Sequence, residues 1–308
     1  MTDLRHLITL NDITTAEMER IFEIASSIKA KFREGVRESL LPSRVMALIF
    51  EKQSLRTRVS FESGMTHLGG SSMYLGADVG FGKRESMSDF GRVLGKLVDV
   101  VVIRAKRHDM VASLAEHSTC PVINGLTDLA HPCQALADLL TIREEFSDVK
   151  GRTVAWVGDA NNVSTSLIRA CGKAGMKITM AVPKAYQYDD ATLTMLHDEC
   201  PGLELSISED PKEAVREASA VYTDVWVSMG QEKEEAERKA TFGPFQVNAE
   251  LMSAAPSDAI FLHCLPAKRG QEVTDDVIDS PNSRIIEQAA NRMHAQKGAV
   301  AWLLGAEV

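Results

Sequence analysis

Short runs of apolar and β-branched residues alternate with stretches of helical periodicity along nearly the whole chain, in two series. The first series holds VMALIF at 45–50, SSMYL at 71–75, VDVVVIRA at 98–105 and PVINGL at 121–126. The second begins after Gly151 with TVAWVGD, KITMAV, LELSI, AVYTDVW and AIFLHCL. Between these runs, apolar residues recur every three or four positions, the spacing of one helix face. Thr14 and Glu17 have the spacing of a capping box, and Met18, Ile21, Phe22, Ala25 and Ile28 follow it. Further helices are expected from Arg58 to Gly69-Gly70 and at 87–97, 110–117, 131–146, 164–172, 191–199, 212–218 and 283–304. Such alternation predicts the α/β class: two domains, each a mainly parallel sheet flanked by helices. A length of 308 residues fits two domains. Because no Pro/Gly-rich linker separates the series, the domains are expected to be joined by long interdomain helices, residues 131–146 being the first. The expected boundaries are 1–146, 147–282 and a C-terminal helix at 283–308 that packs back on the first domain.

Charge narrows the function classes. The chain carries a formal net charge of −9, which disfavours nucleic acid as a partner. Residues 51–110 run against this trend, with ten basic and seven acidic side chains, as a local site for a small anion would. The apolar runs fall far short of the ~20 residues that cross a bilayer, and the N-terminus lacks a signal-peptide pattern. A soluble, cytoplasmic protein with no membrane partner is expected. Five widely spaced cysteines with no CxxC pair suggest neither a disulfide framework nor zinc, so no metal is expected.

Six motifs carry chemistry. Ser54-Leu55-Arg56-Thr57-Arg58 lies between a strand and a helix, where unpaired backbone N–H groups and the helix dipole favour an anion. His131-Pro132-Cys133-Gln134 places a histidine at a helix start, where the dipole is expected to keep the imidazole neutral and able to polarise a carbonyl. Gly158-Asp159-Ala160-Asn161-Asn162 follows a strand but lacks GxGxxG, which disfavours a dinucleotide; its two amides suit a carboxylate. Asp224 to Gly230 (DVWVSMG) offers a carboxylate and a hydroxyl for an ammonium group. In His263-Cys264-Leu265-Pro266, strand alternation would turn His263 and Cys264 to opposite faces, making them a poor metal pair. Asn291-Arg292, in the last helix, adds a possible anion contact.

In this order and spacing, SLRTR, HPCQ, DVWVSMG, HCLP and Asn291-Arg292 resemble the aspartate/ornithine carbamoyltransferase family over nearly the whole chain. SxRTR and HPxQ are shared across that family, whereas DxxxSMG and HCLP are similar to its ornithine branch. The resemblance implies attack by the δ-amine of L-ornithine on the carbonyl carbon of carbamoyl phosphate, giving L-citrulline and phosphate without a cofactor. It implies a carbamoyl phosphate domain first and an ornithine domain second. Ser54, Leu55 (through its backbone), Arg56, Thr57 and Arg104 would hold the phosphate. Arg56 and His131 would polarise the carbamoyl oxygen, and Gln134, the Leu265 carbonyl and Arg292 would orient the carbamoyl group. Asn162 and the Met229 backbone would take the ornithine carboxylate, and Asp224 and Ser228 its α-ammonium. Cys264 with Asp224 would stand where the δ-amine reacts. The resemblance also implies a homotrimer or a multiple of trimers, with the loop at 78–86 reaching a neighbouring subunit.

The chain departs from the family pattern at Leu55, Gly80 and Asp89-Phe90-Gly91-Arg92. At Gly80 the ornithine branch often has Gln or His, and Lys83 or Arg84 is the possible substitute. A related amine, such as N-acetylornithine or putrescine, is the alternative acceptor. A nucleotide-dependent oxidoreductase is disfavoured by the missing glycine fingerprint, and a non-catalytic relative by the intact polar set.

Overall fold

The structure, a computed structural model, describes residues 4–82, 84–227 and 231–306. The chain divides into two compact units: 1–140 with 290–308, and 141–289. Both divisions fall inside helices, α5 (Pro132–Phe146) and α12 (Ile285–Leu303).

The first unit contains α1 (Thr15–Arg33), β1 (Val45–Phe50), α2 (Leu55–His67), β2 (Ser71–Leu75), α3 (Met87–Leu94), β3 (Val100–Arg104), α4 (His108–His117) and β4 (Val122–Leu126). Its sheet has the order β2-β1-β3-β4 and every pairing is parallel. Every residue of β3 is buried, as expected of a strand packed on both faces. One face of the sheet packs Ala47, Ile49, Val101 and Ile103 against Leu94, Val111 and Leu114 of α3 and α4. The edge at β4 is covered by the N-terminal segment: Leu7 N–H donates to Val122 O at 2.8 Å, and Asn124 N–H to Leu7 O at 2.8 Å.

Thr14 and Glu17 form the capping box that opens α1, and the five apolar residues read from the sequence are all buried. At Gly298 of α12, an added Cβ would stand 2.6 Å from Ile21 O and 2.9 Å from the Ala25 Cβ. Only glycine lets α1 and α12 approach this closely.

The second unit contains β5 (Thr153–Val157), α6 (Asn162–Ala174), β6 (Lys177–Ala181), α7 (Asp190–Glu199), β7 (Glu204–Ser208), α8 (Pro211–Val215), β8 (Ala218–Thr223), α9 (Glu235–Phe242), α10 (Ala249–Ser253), β9 (Ile260–His263) and α11 (Asp275–Ile278). Its sheet has the order β7-β6-β5-β8-β9, again all parallel. Val157, Val221 and Phe261 join Trp226, Phe242 and Phe245 in one core layer. The outer edge of β9 is paired with the segment leading into α12, through Phe261 N–H to Asn282 O and Arg284 N–H to Phe261 O, both 2.9 Å.

Two expectations shift. The strands read to 226 and 265 stop at Thr223 and His263, so Asp224 and Cys264 stand just beyond two paired strand ends. Helices α9 and α10 had no apolar periodicity to announce them; α9 buries only Arg238 and Phe242.

Candidate functional site

The polar residues of interest follow the carboxyl ends of the strands, where parallel α/β sheets place ligands. In the first unit they converge on Thr57. Ser54 is extended (φ −151°) at the start of α2, and its hydroxyl makes no capping bond. It donates instead to Thr57 Oγ1 at 3.0 Å. Thr57, fully buried, also accepts from Arg292 Nη2 at 2.8 Å and from Arg104 Nη1 at 3.4 Å. Leu55 is 75% exposed, so its side chain contributes no packing and its N–H is one of the unpaired groups at the helix start.

Arg104 ends β3 and is buried. Burial, then the like charges of Arg292 and Arg56, pull its pKa down to about 10. Neither Arg56 nor Arg104 has an ion-pair partner among the described residues. Cations crowded without counter-charge make a receptor for an anion.

His131 precedes Pro132, the first residue of α5, and its carbonyl accepts from Gln134 N–H at 3.0 Å. Its imidazole is buried and held neutral, with a pKa well below the usual range. The expected state is present, but its leading cause differs from the helix dipole invoked from the sequence: burial dominates, and the charges of Arg292 and Arg104 add to it. Gln134, also buried, donates from Nε2 to Asp138 Oδ1 at 2.8 Å.

In the second unit the polar residues converge on Asp224. The Cys264 thiol donates to Asp224 Oδ1 at 3.0 Å, and Asn161 Nδ2 to Asp224 Oδ2 at 3.1 Å. Val225 N–H also donates to Asp224 Oδ1, at 2.8 Å. Asn161 is the N-cap of α6, its Oδ1 accepting from the N–H groups of Val163 and Ser164. Asn162, the residue chosen from the sequence, is the first residue of that helix; the amide that meets Asp224 belongs to its neighbour.

His263 Nδ1 accepts from Leu265 N–H at 2.8 Å. The ring proton therefore sits on Nε2, which donates to Glu272 Oε1 at 3.2 Å. Both side chains are fully buried. Leu265 stands at φ +60°, a left-handed conformation unfavourable by about 1–2 kcal/mol for such a residue. Strand alternation does not separate His263 from Cys264. Cys264 lies past the strand end, and the ligand-type atoms of Asp224, His263 and Cys264 lie within 4.8 Å of one another. Both imidazole nitrogens are nevertheless engaged within the protein.

Models of two domains match the chain. "Aspartate/ornithine carbamoyltransferase, carbamoyl-P binding domain" covers residues 5–144, and the corresponding "Asp/Orn binding domain" covers 150–303. Ornithine carbamoyltransferase of Carboxydothermus hydrogenoformans is 46% identical over 98% of both chains. The solved structure of the Pyrococcus furiosus ornithine carbamoyltransferase superposes with a TM-score of 0.94 at 46% identity, covering 99% of this chain and 98% of that one. The Thermus thermophilus enzyme gives 0.87 at 40% identity, over 97% and 98%. The chain belongs to the aspartate/ornithine carbamoyltransferase family.

Within this carbamoyltransferase chain, two buried residues lie outside every motif read from the sequence, Glu272 and Arg238. The Arg238 guanidinium pairs with Asp159, donates to Trp226 O, and lies over the Tyr186 ring with its carbon 4.6 Å from the centroid. Burial pushes Asp159 up to about 6 against the pull of Arg238. This carbamoyltransferase chain thereby ties the segment after β8 to the end of β5. Ser228 and Met229, assigned to the amino-acid ligand, and Lys83 lie outside the described residues. At Gly80 (φ +71°), an added Cβ would stand 2.7 Å from Arg84 Cγ and Cδ, so the Arg84 stem occupies the space a larger residue would need.

Proposed function

We propose that this protein transfers the carbamoyl group of carbamoyl phosphate to the δ-amine of L-ornithine, giving L-citrulline and phosphate. The observation that carries the reading is the group of cations around Thr57 beside a neutral, buried His131. In it, the N–H groups opening α2 with Ser54, Arg56, Thr57 and Arg104 hold the phosphate. Arg56 and the His131 imidazole stabilise the oxygen that becomes negative when the amine adds to the carbamoyl carbon. Arg292, Gln134 and the Leu265 carbonyl orient the carbamoyl group. The C–O bond to phosphate then breaks, and phosphate leaves with the bonding pair.

The acceptor amine must react as the free base. An amine of pKa about 10.4 pays about 4–5 kcal/mol for this at pH 7. In the proposed mechanism Asp224 and Cys264 accept hydrogen bonds from that amine and help its proton leave, and positioning supplies much of the remaining acceleration. Ser228, Asp224, Asn162 and the Met229 backbone are assigned to the α-ammonium and carboxylate. A homotrimer or a multiple of trimers, a cytoplasmic location and a role in arginine metabolism belong to the same proposal, supported by family membership.

The test offers carbamoyl phosphate with ornithine, N-acetylornithine, putrescine or aspartate and measures the ureido product. Ornithine should be strongly preferred, with activity rising with pH as the amine deprotonates. No ureido product from any of the four would refute the proposal.

A further inference from the structure

Gln134 has a donor end and an acceptor end, and its surroundings decide which faces where. Nε2 donates to Asp138 Oδ1 at 2.8 Å, one helical turn further along α5. Asp138 is fully buried, and a carboxylate oxygen accepts but does not donate. The amide nitrogen must therefore face Asp138, which turns the amide oxygen away. That oxygen is also buried and has no hydrogen-bond partner among the described residues. A buried acceptor is seldom left unmatched, and one at a site asks for a donor on the ligand. Gln134 belongs to the anion cluster by position: its N–H is bonded to the carbonyl of His131, whose imidazole lies in the field of Arg292 and Arg104.

We propose that Asp138 is a positioning residue that locks the Gln134 amide oxygen toward the acyl group of the bound acyl phosphate. The locked acceptor selects an acyl group that carries N–H, as carbamoyl phosphate does, over one that carries a methyl group, as acetyl phosphate does. The inference rests on the acyl-phosphate reading of the first cluster. The two acyl phosphates have nearly the same shape and charge, so sterics and phosphate contacts separate them poorly. A carbamoyl N–H satisfies the Gln134 oxygen, whereas a methyl group leaves it buried and unpaired, the situation in which a site rejects an analogue most strongly. Asparagine at 138 would remove the constraint, because its own amide can present either end to Gln134 and so permits the flipped orientation.

The experiment compares kcat/KM for carbamoyl phosphate and acetyl phosphate, with ornithine as acceptor, in wild type, Asp138→Asn, Gln134→Ala and the double variant. Intrinsic reactivity of the two donors cancels when the ratios are compared. The ratio should fall by at least roughly tenfold in Asp138→Asn, the size of one lost buried hydrogen bond. It should fall in Gln134→Ala as well, and no further in the double variant. An unchanged ratio in Asp138→Asn, even with both rates reduced, would make Asp138 a structural residue and overturn the inference. Independent effects in the double variant would do the same. If Asp138→Asn does not fold, Gln134→Ala decides: a fallen ratio supports the locked acceptor, and an unchanged ratio overturns it. A wild type with no preference for carbamoyl phosphate would overturn the underlying reading of the cluster as well.

Discussion

Around Thr57, Arg104 and Arg292 direct two guanidiniums at one hydroxyl, and Arg56 adds a third like charge to the field on Arg104. Around Asp224 the arrangement is opposite: one carboxylate is met by an amide, a thiol and a backbone N–H. In the first cluster Arg56 and Arg104 have no ion-pair partner among the described residues, and a bound anion would supply one. The second is already satisfied within the protein, so an incoming amine has to compete for contacts that exist. Burial leads in shifting the titrating groups of the first cluster, Arg104 and His131, and the neighbouring like charges add to it.

Substitutions at the two clusters should have separable effects. The largest effect is expected from Arg56→Ala, which should lower turnover by at least ~10³-fold through loss of transition-state charge stabilisation, with an unchanged melting temperature. Near-wild-type citrulline formation in that variant would remove the anion cluster from the chemistry. Asp224→Asn should cost on the order of 10²–10³-fold in kcat/KM for ornithine. It should leave phosphate binding, measured by calorimetry, unaltered; weakened phosphate binding would contradict the division of labour.

Inorganic phosphate itself sharpens the contrast. At about 100 times its Kd it should stabilise the wild-type fold by about 2.7 kcal/mol, and Arg104→Met should abolish the gain. Equal stabilisation of both proteins would show that phosphate binds elsewhere.

The smallest expected effect concerns pH. Asp159, raised to about 6, keeps its proton in the folded chain up to that pH, while the unfolded chain loses it near the ordinary 3.8. Between those values folding takes up a proton, so the contribution of this group to stability falls as pH rises, by on the order of 2 kcal/mol across the window. Asp159→Asn should flatten that slope in urea titrations at pH 4–7. An unaltered slope would mean that Asp159 titrates alike in both states.

The sequence showed most of what is contiguous. The apolar runs located the strands, and Ser54 to Arg58 and His131 to Gln134 each lie on one strand-to-helix turn, so neighbours in sequence stay neighbours in space. What it hid depends on the sheet. Asn161 meets Asp224 across 63 positions and Arg238 meets Asp159 across 79, contacts set by the adjacency of β5 and β8. No local pattern marks Glu272 as the partner of His263. His263 and Cys264 come together against the expectation of opposite faces, because a period of two holds only inside a strand and β9 ends between them. The neutral state of His131 was legible from its place before Pro132, but its main cause, burial, depends on the packed structure.

The all-parallel pairing of both sheets also bears on how the chain reaches its folded state. Parallel neighbours cannot be joined by a tight hairpin, so every strand pair must wait for a crossover to be traversed. In the first unit β1 meets β2 only after α2, and β3 meets β1 only after some fifty residues of intervening chain. Loop-closure entropy must be met before any strand pairing forms, which places such chains among slow folders. Until then the apolar strands, VMALIF and VVVIR above all, remain uncovered. Refolding yield should therefore depend on protein concentration more steeply than the stability of the finished fold would suggest.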